Sequence, residues 1–154
     1  MSTAVDRDEL FGSEWDFLAL DRDGCIAFLS SGGFGPIPQV VLNDGMSVEE
    51  VVAELRTLLP VIGESLDRRG QNCSGDWSDW FEMSRRGLYA YDSDGHGGPY
   101  KQVSAPSVVL RADDLAPEIA RAAGLLQLPV LFAEAARLWL DENTTSSFEE
   151  GAPA

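Results

Sequence analysis

The run WDFLALDRDGCIAFLS, residues 15–30, leaves the backbone little choice. Two apolar stretches flank a turn signal, Asp21-Arg22-Asp23-Gly24. In the first stretch Trp15, Phe17 and Ala19 alternate with Asp16, Leu18 and Leu20, the two-residue period of a strand. The second, Cys25 to Ser30, is apolar and strand-like, and DRDG supplies the chemistry of a tight reversal. The pair predicts a β-hairpin. SSGGFGPIP then breaks regularity, because glycine admits positive φ and each proline restricts the residue before it.

Beyond the hairpin, residues 39–42 read as another short strand. The clearest helix is expected from Ser47, with Glu50 three residues on completing a capping box. Val48, Val51, Val52, Leu55, Leu58 and Leu59 share one face at helical spacing, and Pro60 ends the run. VIGESLDRRG is expected to add a helical turn or two. DWSDWFEMSRR reads as a short helix with Trp77, Trp80 and Phe81 on one side and Arg85-Arg86 capping its C-terminus. GLYAYD and YKQVSAP read as strands joined by the glycine-rich SDGHGGP, with SVVLRA as a third. Two helices are expected to close the chain, one with Pro117 in its first turn and one from about Pro129 to Asp141. Regular β-α-β alternation is missing. The pattern predicts an α+β domain, a mainly antiparallel sheet of about 4–6 strands with about 3–4 helices packed on it. Residues 1–142 are expected to form that domain and 143–154 a flexible acidic tail.

Charge narrows the function classes. The chain carries 26 acidic and 11 basic residues, a net charge of −15 over 154 residues. Such a chain repels nucleic acid and anionic membrane surfaces, and no apolar run approaches the ~20 residues of a membrane helix. The acidic N-terminus has no basic and apolar blocks of a signal peptide, so a cytoplasmic location is expected. A basic protein partner, in contrast, is attracted and steered. The same acidity also serves solubility. Cys25 and Cys73 form no CxxC pair; Cys25 is expected to be a buried free thiol and Cys73 to lie nearer the surface.

Several motifs invite chemistry and fall short of it. With Gly24 at position six of a calcium loop, Asp23 and Asp21 fit positions five and three, but Ala19 and Ser30 occupy the first and last ligand positions. With Gly95 there, Ala90 and Lys101 occupy them. Both read as turns. His96 is the only histidine, and one His with two separated Cys makes no zinc set, so no metal and no cofactor are expected. Phosphate-loop, nucleophile-elbow and HExxH patterns are missing, and no catalytic residue is assigned. Asp92, Asp94 and His96 share one loop, which keeps acid–base chemistry open.

Trp77 and Trp80, set beside Asp76, Asp79 and Glu82, have the composition of a core helix and of an interface. Those five are the candidate partner-binding residues, as aromatic anchors within an acidic rim. The pattern W-D-F-x-A-x-D-x-D-G, Trp15 to Gly24, together with the acidity, resembles small bacterial immunity proteins, SUKH-like ones among them, over residues 14–38. The resemblance implies a non-enzymatic domain that neutralises a toxin by binding it. The expectation is therefore an acidic protein-binding domain for a basic partner. Two alternatives stay open: a small enzyme or ligand-binding domain with a pocket near the glycine-rich loops and His96, and a subunit of a larger assembly, marked by an exposed apolar patch.

Overall fold

The computed structural model describes residues 3–70, 75–93 and 99–144. Cys73, His96, the loop around Gly95 and the tail from residue 145 lie outside the described residues. The first hairpin forms as expected: β1 (Asp16–Leu20) and β2 (Ile26–Ser30) pair antiparallel, with Asp16 opposite Ser30 and Leu20 opposite Ile26. Asp21 builds the turn. Its Oδ1 accepts the amides of Asp23 and Cys25, each at 2.9 Å, and its Oδ2 accepts the amide of Phe132 at 2.9 Å. The carboxylate placed like a calcium ligand is thus engaged by three backbone N–H groups. Gly24 closes the turn at φ +82°, a conformation that L side chains rarely adopt. Cys25 is a buried free thiol, and burial, helped by Asp21, pushes it up to about 11.

The sheet is completed by β3 (Ser65–Asp67), β4 (Tyr89–Ser93), β5 (Tyr100–Pro106) and β6 (Arg137–Leu138). Its order is β1-β2-β4-β5-β3, with β6 also on β5. The fold is α+β. One pairing, β2 with β4, is parallel, so the sheet is mixed rather than purely antiparallel. The second edge of β5 is shared: β3 pairs with residues 104–106 and β6 with Tyr100 and Lys101.

Register puts Phe17, Leu29 and Tyr91 on one face and Leu18, Phe28 and Ala90 on the other, and all six are buried. Burial of both faces explains why apolar residues occupy both phases of β1. Phe132 packs its ring against Tyr89 and Tyr91, and Tyr100 meets Phe17 edge-on at 5.7 Å. Each fully buried ring of this kind stabilises the fold by roughly 1.5–3 kcal/mol. The helices are α1 (Gln39–Leu42), α2 (Gly45–Leu58), α3 (Ser78–Arg85) and α4 (Pro117–Gly124), with single 3-10 turns at Arg7–Leu10 and Ala112–Asp114.

Several local expectations are corrected. Residues 39–42 are helical, not a strand, because a four-residue apolar run carries too little periodicity to distinguish the two. The α2 helix starts at Gly45 rather than after Ser47, so the expected capping box does not form. Asp44 precedes it without capping by its side chain, whose carboxylate is held by the Thr3 hydroxyl at 2.5 Å and by Arg121 at 3.1 Å. Residues 65–67 are extended as β3 and add an edge to β5 instead of a helical turn. SVVLRA forms no strand; Val108 and Val109 are exposed, and only Arg111 bridges to Cys25. The helix expected over about 129–141 is also missing, and β6 lies there instead. Its backbone is claimed by tertiary partners: Gln102 donates to Phe132 O at 2.9 Å, Tyr91 to Ala135 O at 2.6 Å, and the Gln102 amide to Ala136 O at 2.9 Å. Such partners override local helix propensity.

Candidate functional site

The α3 helix carries the residues that the sequence singles out. Asp76, just before it, accepts the Ser78 amide at 3.0 Å, a local turn that sets the chain's direction into the helix. Hydrogen bonds from the Ser78 side chain and then its backbone hold the Asp76 carboxyl below the usual range. Asp79 follows on the first turn and pairs with Arg56 of α2 at 2.8 Å. Asp76 and Asp79 are both exposed. Glu82, partly buried, is held by Arg86 at 3.4 Å and Arg85 at 3.9 Å. The two arginines therefore turn back to this carboxylate, whereas the sequence predicts that they cap the last carbonyls. It is the Arg86 backbone amide that reaches Met83 O and Ser84 O.

The two tryptophans part company. Trp80 packs against the core, and its indole N–H donates to Tyr91 O at 3.1 Å. Trp77 contacts it at 5.0 Å between ring centres and turns its other side toward Arg69. The Arg69 guanidinium lies 4.9 Å from the Phe81 ring and 5.8 Å from that of Trp77. It also grips Asp67 with two bonds, at 2.8 and 3.0 Å. Those hydrogen bonds push the Asp67 carboxyl down to about 2. One helix thus bears an indole anchored to the core, a second half-buried indole outside it and an acidic flank.

Sequence reasoning missed the neighbours that enlarge this acidic flank. Glu49, Glu50 and Glu54 of α2 are exposed, and Glu14 is exposed just ahead of β1. Glu49 accepts the Trp15 indole N–H at 2.6 Å, and Glu14 accepts the Ser30 hydroxyl. Between them Asp16 is largely buried, and its Oδ1 has no hydrogen-bond partner. Burial pushes its carboxyl up to about 6; Glu14 and Asp79 add to the shift, while Ser30 and Arg56 oppose it. The helical spacing of Glu50 and Glu54 was visible in the sequence, but nothing in it placed α2 beside α3.

A second feature lies where β3 and β6 meet on β5. A cleft of about 540 Å³ opens there, lined among others by Arg68, Arg69, Lys101, Arg137, Trp77 and Gln102. Asp92 and Lys101, which face each other across β4 and β5, both line the cleft; His96 and the rest of residues 94–98 lie outside the described residues. Among the described residues, no group of three or more His, Cys, Asp or Glu is placed to hold a metal ion. No described helix is long and apolar enough to cross a membrane. Comparisons with protein-family models, curated proteins and solved structures find no significant match.

Proposed function

We propose that this chain is a non-catalytic, acidic protein-binding domain of the bacterial cytoplasm that docks a basic protein partner through the α2–α3 ridge. In the form that the sequence resemblance favours, the partner is a toxin and docking neutralises it. The observation that carries the reading is the number of exposed carboxylates on two linked elements: Glu49, Glu50 and Glu54 on α2, and Asp76 and Asp79 at the start of α3, with Asp79 tied to α2 by Arg56. Arg56, the cation set among them, is itself held by Asp79. Exposed Met46 and Leu58 lie on the same helix, giving an apolar complement to the charged rim. Charge of one sign over such a ridge steers a basic partner and raises the association rate steeply at low salt.

The test starts from a tagged full chain, used to isolate a stoichiometric basic partner from the source cells at low and moderate salt. Association rates are then measured with purified components. Asp76→Lys combined with Asp79→Lys is expected to slow association at least about tenfold at low salt. Thermal melts should show the variant folded, since both side chains are exposed. An unchanged association rate would remove the ridge from the docking surface.

A further inference from the structure

Cations in this molecule are scarce, and most are already neutralised. Six arginines form ion pairs with carboxylates. Arg68, Lys101 and Arg137 form none among the described residues, although carboxylates outnumber bases 26 to 11. All three line the cleft on β5. Arg22, likewise without an ion pair, lines a hollow of about 410 Å³ that adjoins it across Glu134 and Arg137. Arg111, the remaining such cation, lies apart beside Cys25. In a protein this acidic, cations left unpaired and gathered in one place form a local positive field inside a negative one.

The cleft has the dimensions and mixed lining of a small-molecule site, which typically measures about 300–1,000 Å³. Two guanidinium forks and an ammonium suit phosphate oxygens. Asp92, opposite Lys101 in the β4–β5 register, and Glu134 also line the cleft and offset part of this charge. The Trp77 indole, tilted against Trp80, has the Arg69 guanidinium 5.8 Å from its ring centre, and Trp77, Arg69 and Val103 all line the cleft. Gln102 is held in place by bonds to Tyr91 Oη at 3.0 Å and Phe132 O at 2.9 Å. The net charge of −15 opposes a long polyanion, whereas a small anion fits within the local field.

We propose that this cleft binds a small nucleotide-class anion, with phosphates on Arg68, Lys101 and Arg137 and the ring against the stacked Trp77–Arg69 pair. The site borders the acidic ridge at Trp77, next to Asp76, but its binding does not depend on a protein docking on that ridge. Calorimetric titration of the full chain at low ionic strength, with metal-free ATP and with pyrophosphate, tests the assignment. Saturable ATP binding is expected, weakened at least about tenfold by Arg68→Ala or Arg137→Ala. Arg121→Ala, which removes an exposed arginine paired with Asp44, is expected to change nothing. Trp77→Ala should weaken ATP at least about fivefold and leave pyrophosphate unaffected, with Trp77→Phe restoring ATP. Circular dichroism melts establish that each variant is folded. Absence of saturable ATP binding at millimolar concentration overturns the proposal, as does ATP binding that survives both arginine variants. A glutamate-rich peptide that displaces ATP and binds more tightly overturns the nucleotide class.

Discussion

Two aspartates on the first hairpin meet opposite fates, and the difference has a measurable consequence. Asp21 accepts three amides with two oxygens, whereas Asp16, five residues earlier, is largely buried with Oδ1 unpartnered. Burial disfavours the charged form of a carboxylate, and the Ser30 hydroxyl offsets only part of that, which is why Asp16 is pushed up to about 6 from 3.8. The native state then holds this proton more tightly than the unfolded chain does. Below pH 3.8 both states are protonated and the favourable contribution is complete; it is lost as pH rises through about 6. Asp16→Asn removes the titration. Urea unfolding at pH 4, 5, 6 and 7 is expected to show the variant gaining on the wild type as pH rises, by about 2 kcal/mol at pH 7. A difference that stays flat across that window would mean the Asp16 carboxyl titrates normally.

The α3 helix poses the question of core against surface, and its two tryptophans answer differently. Trp80 joins the core and donates to Tyr91 O, so Trp80→Ala is expected to cost about 3 kcal/mol or more in urea unfolding. Trp77, half-buried outside the core cluster, packs on Trp80 and Arg69, so Trp77→Ala should cost nearer 1 kcal/mol. Equal losses would place both rings in the core. The spacing of Trp77, Trp80 and Phe81 showed the helix but did not separate these roles, because lining a cleft and lining a core follow the same period. Legibility follows the range of the forces elsewhere too. The hairpin at 15–30 and the body of α2 could be read because their periods run over enough residues to mark a buried face. Residues 39–42 and 65–67 are too short to do so. The 129–138 segment has helix-forming composition, yet it is held by Asp21, Tyr91 and Gln102, partners that no local pattern shows. The same limit hid the cleft: Arg68, Lys101 and Arg137 lie on three separate elements or their flanks and meet only through the edge of β5.

Charge acts on the molecule in two opposed ways, and salt separates them. A net charge of −15 makes the compact state repel itself, because folding brings 26 carboxylates closer together than the extended chain does. Six ion pairs work against that repulsion, but most are exposed, and exposed pairs are typically worth about 0–1 kcal/mol. Repulsion should therefore prevail, and screening should relieve it. Raising sodium chloride from about 10 mM to about 300 mM shortens the screening length from roughly 30 Å to under 10 Å. The melting temperature is expected to rise by several degrees over that range, since about 1 kcal/mol corresponds to roughly 2–4 °C in a chain of this size. Potassium chloride should give the same curve, which distinguishes screening from a sodium-specific site. Association with a basic partner should respond in the opposite direction and slow as salt rises, because attraction is screened along with repulsion. A melting temperature that falls with salt would mean that the ion pairs outweigh the repulsion. The paired arginines, Arg56 and Arg121 foremost, would then hold the helices to the rest of the fold more strongly than their exposure implies.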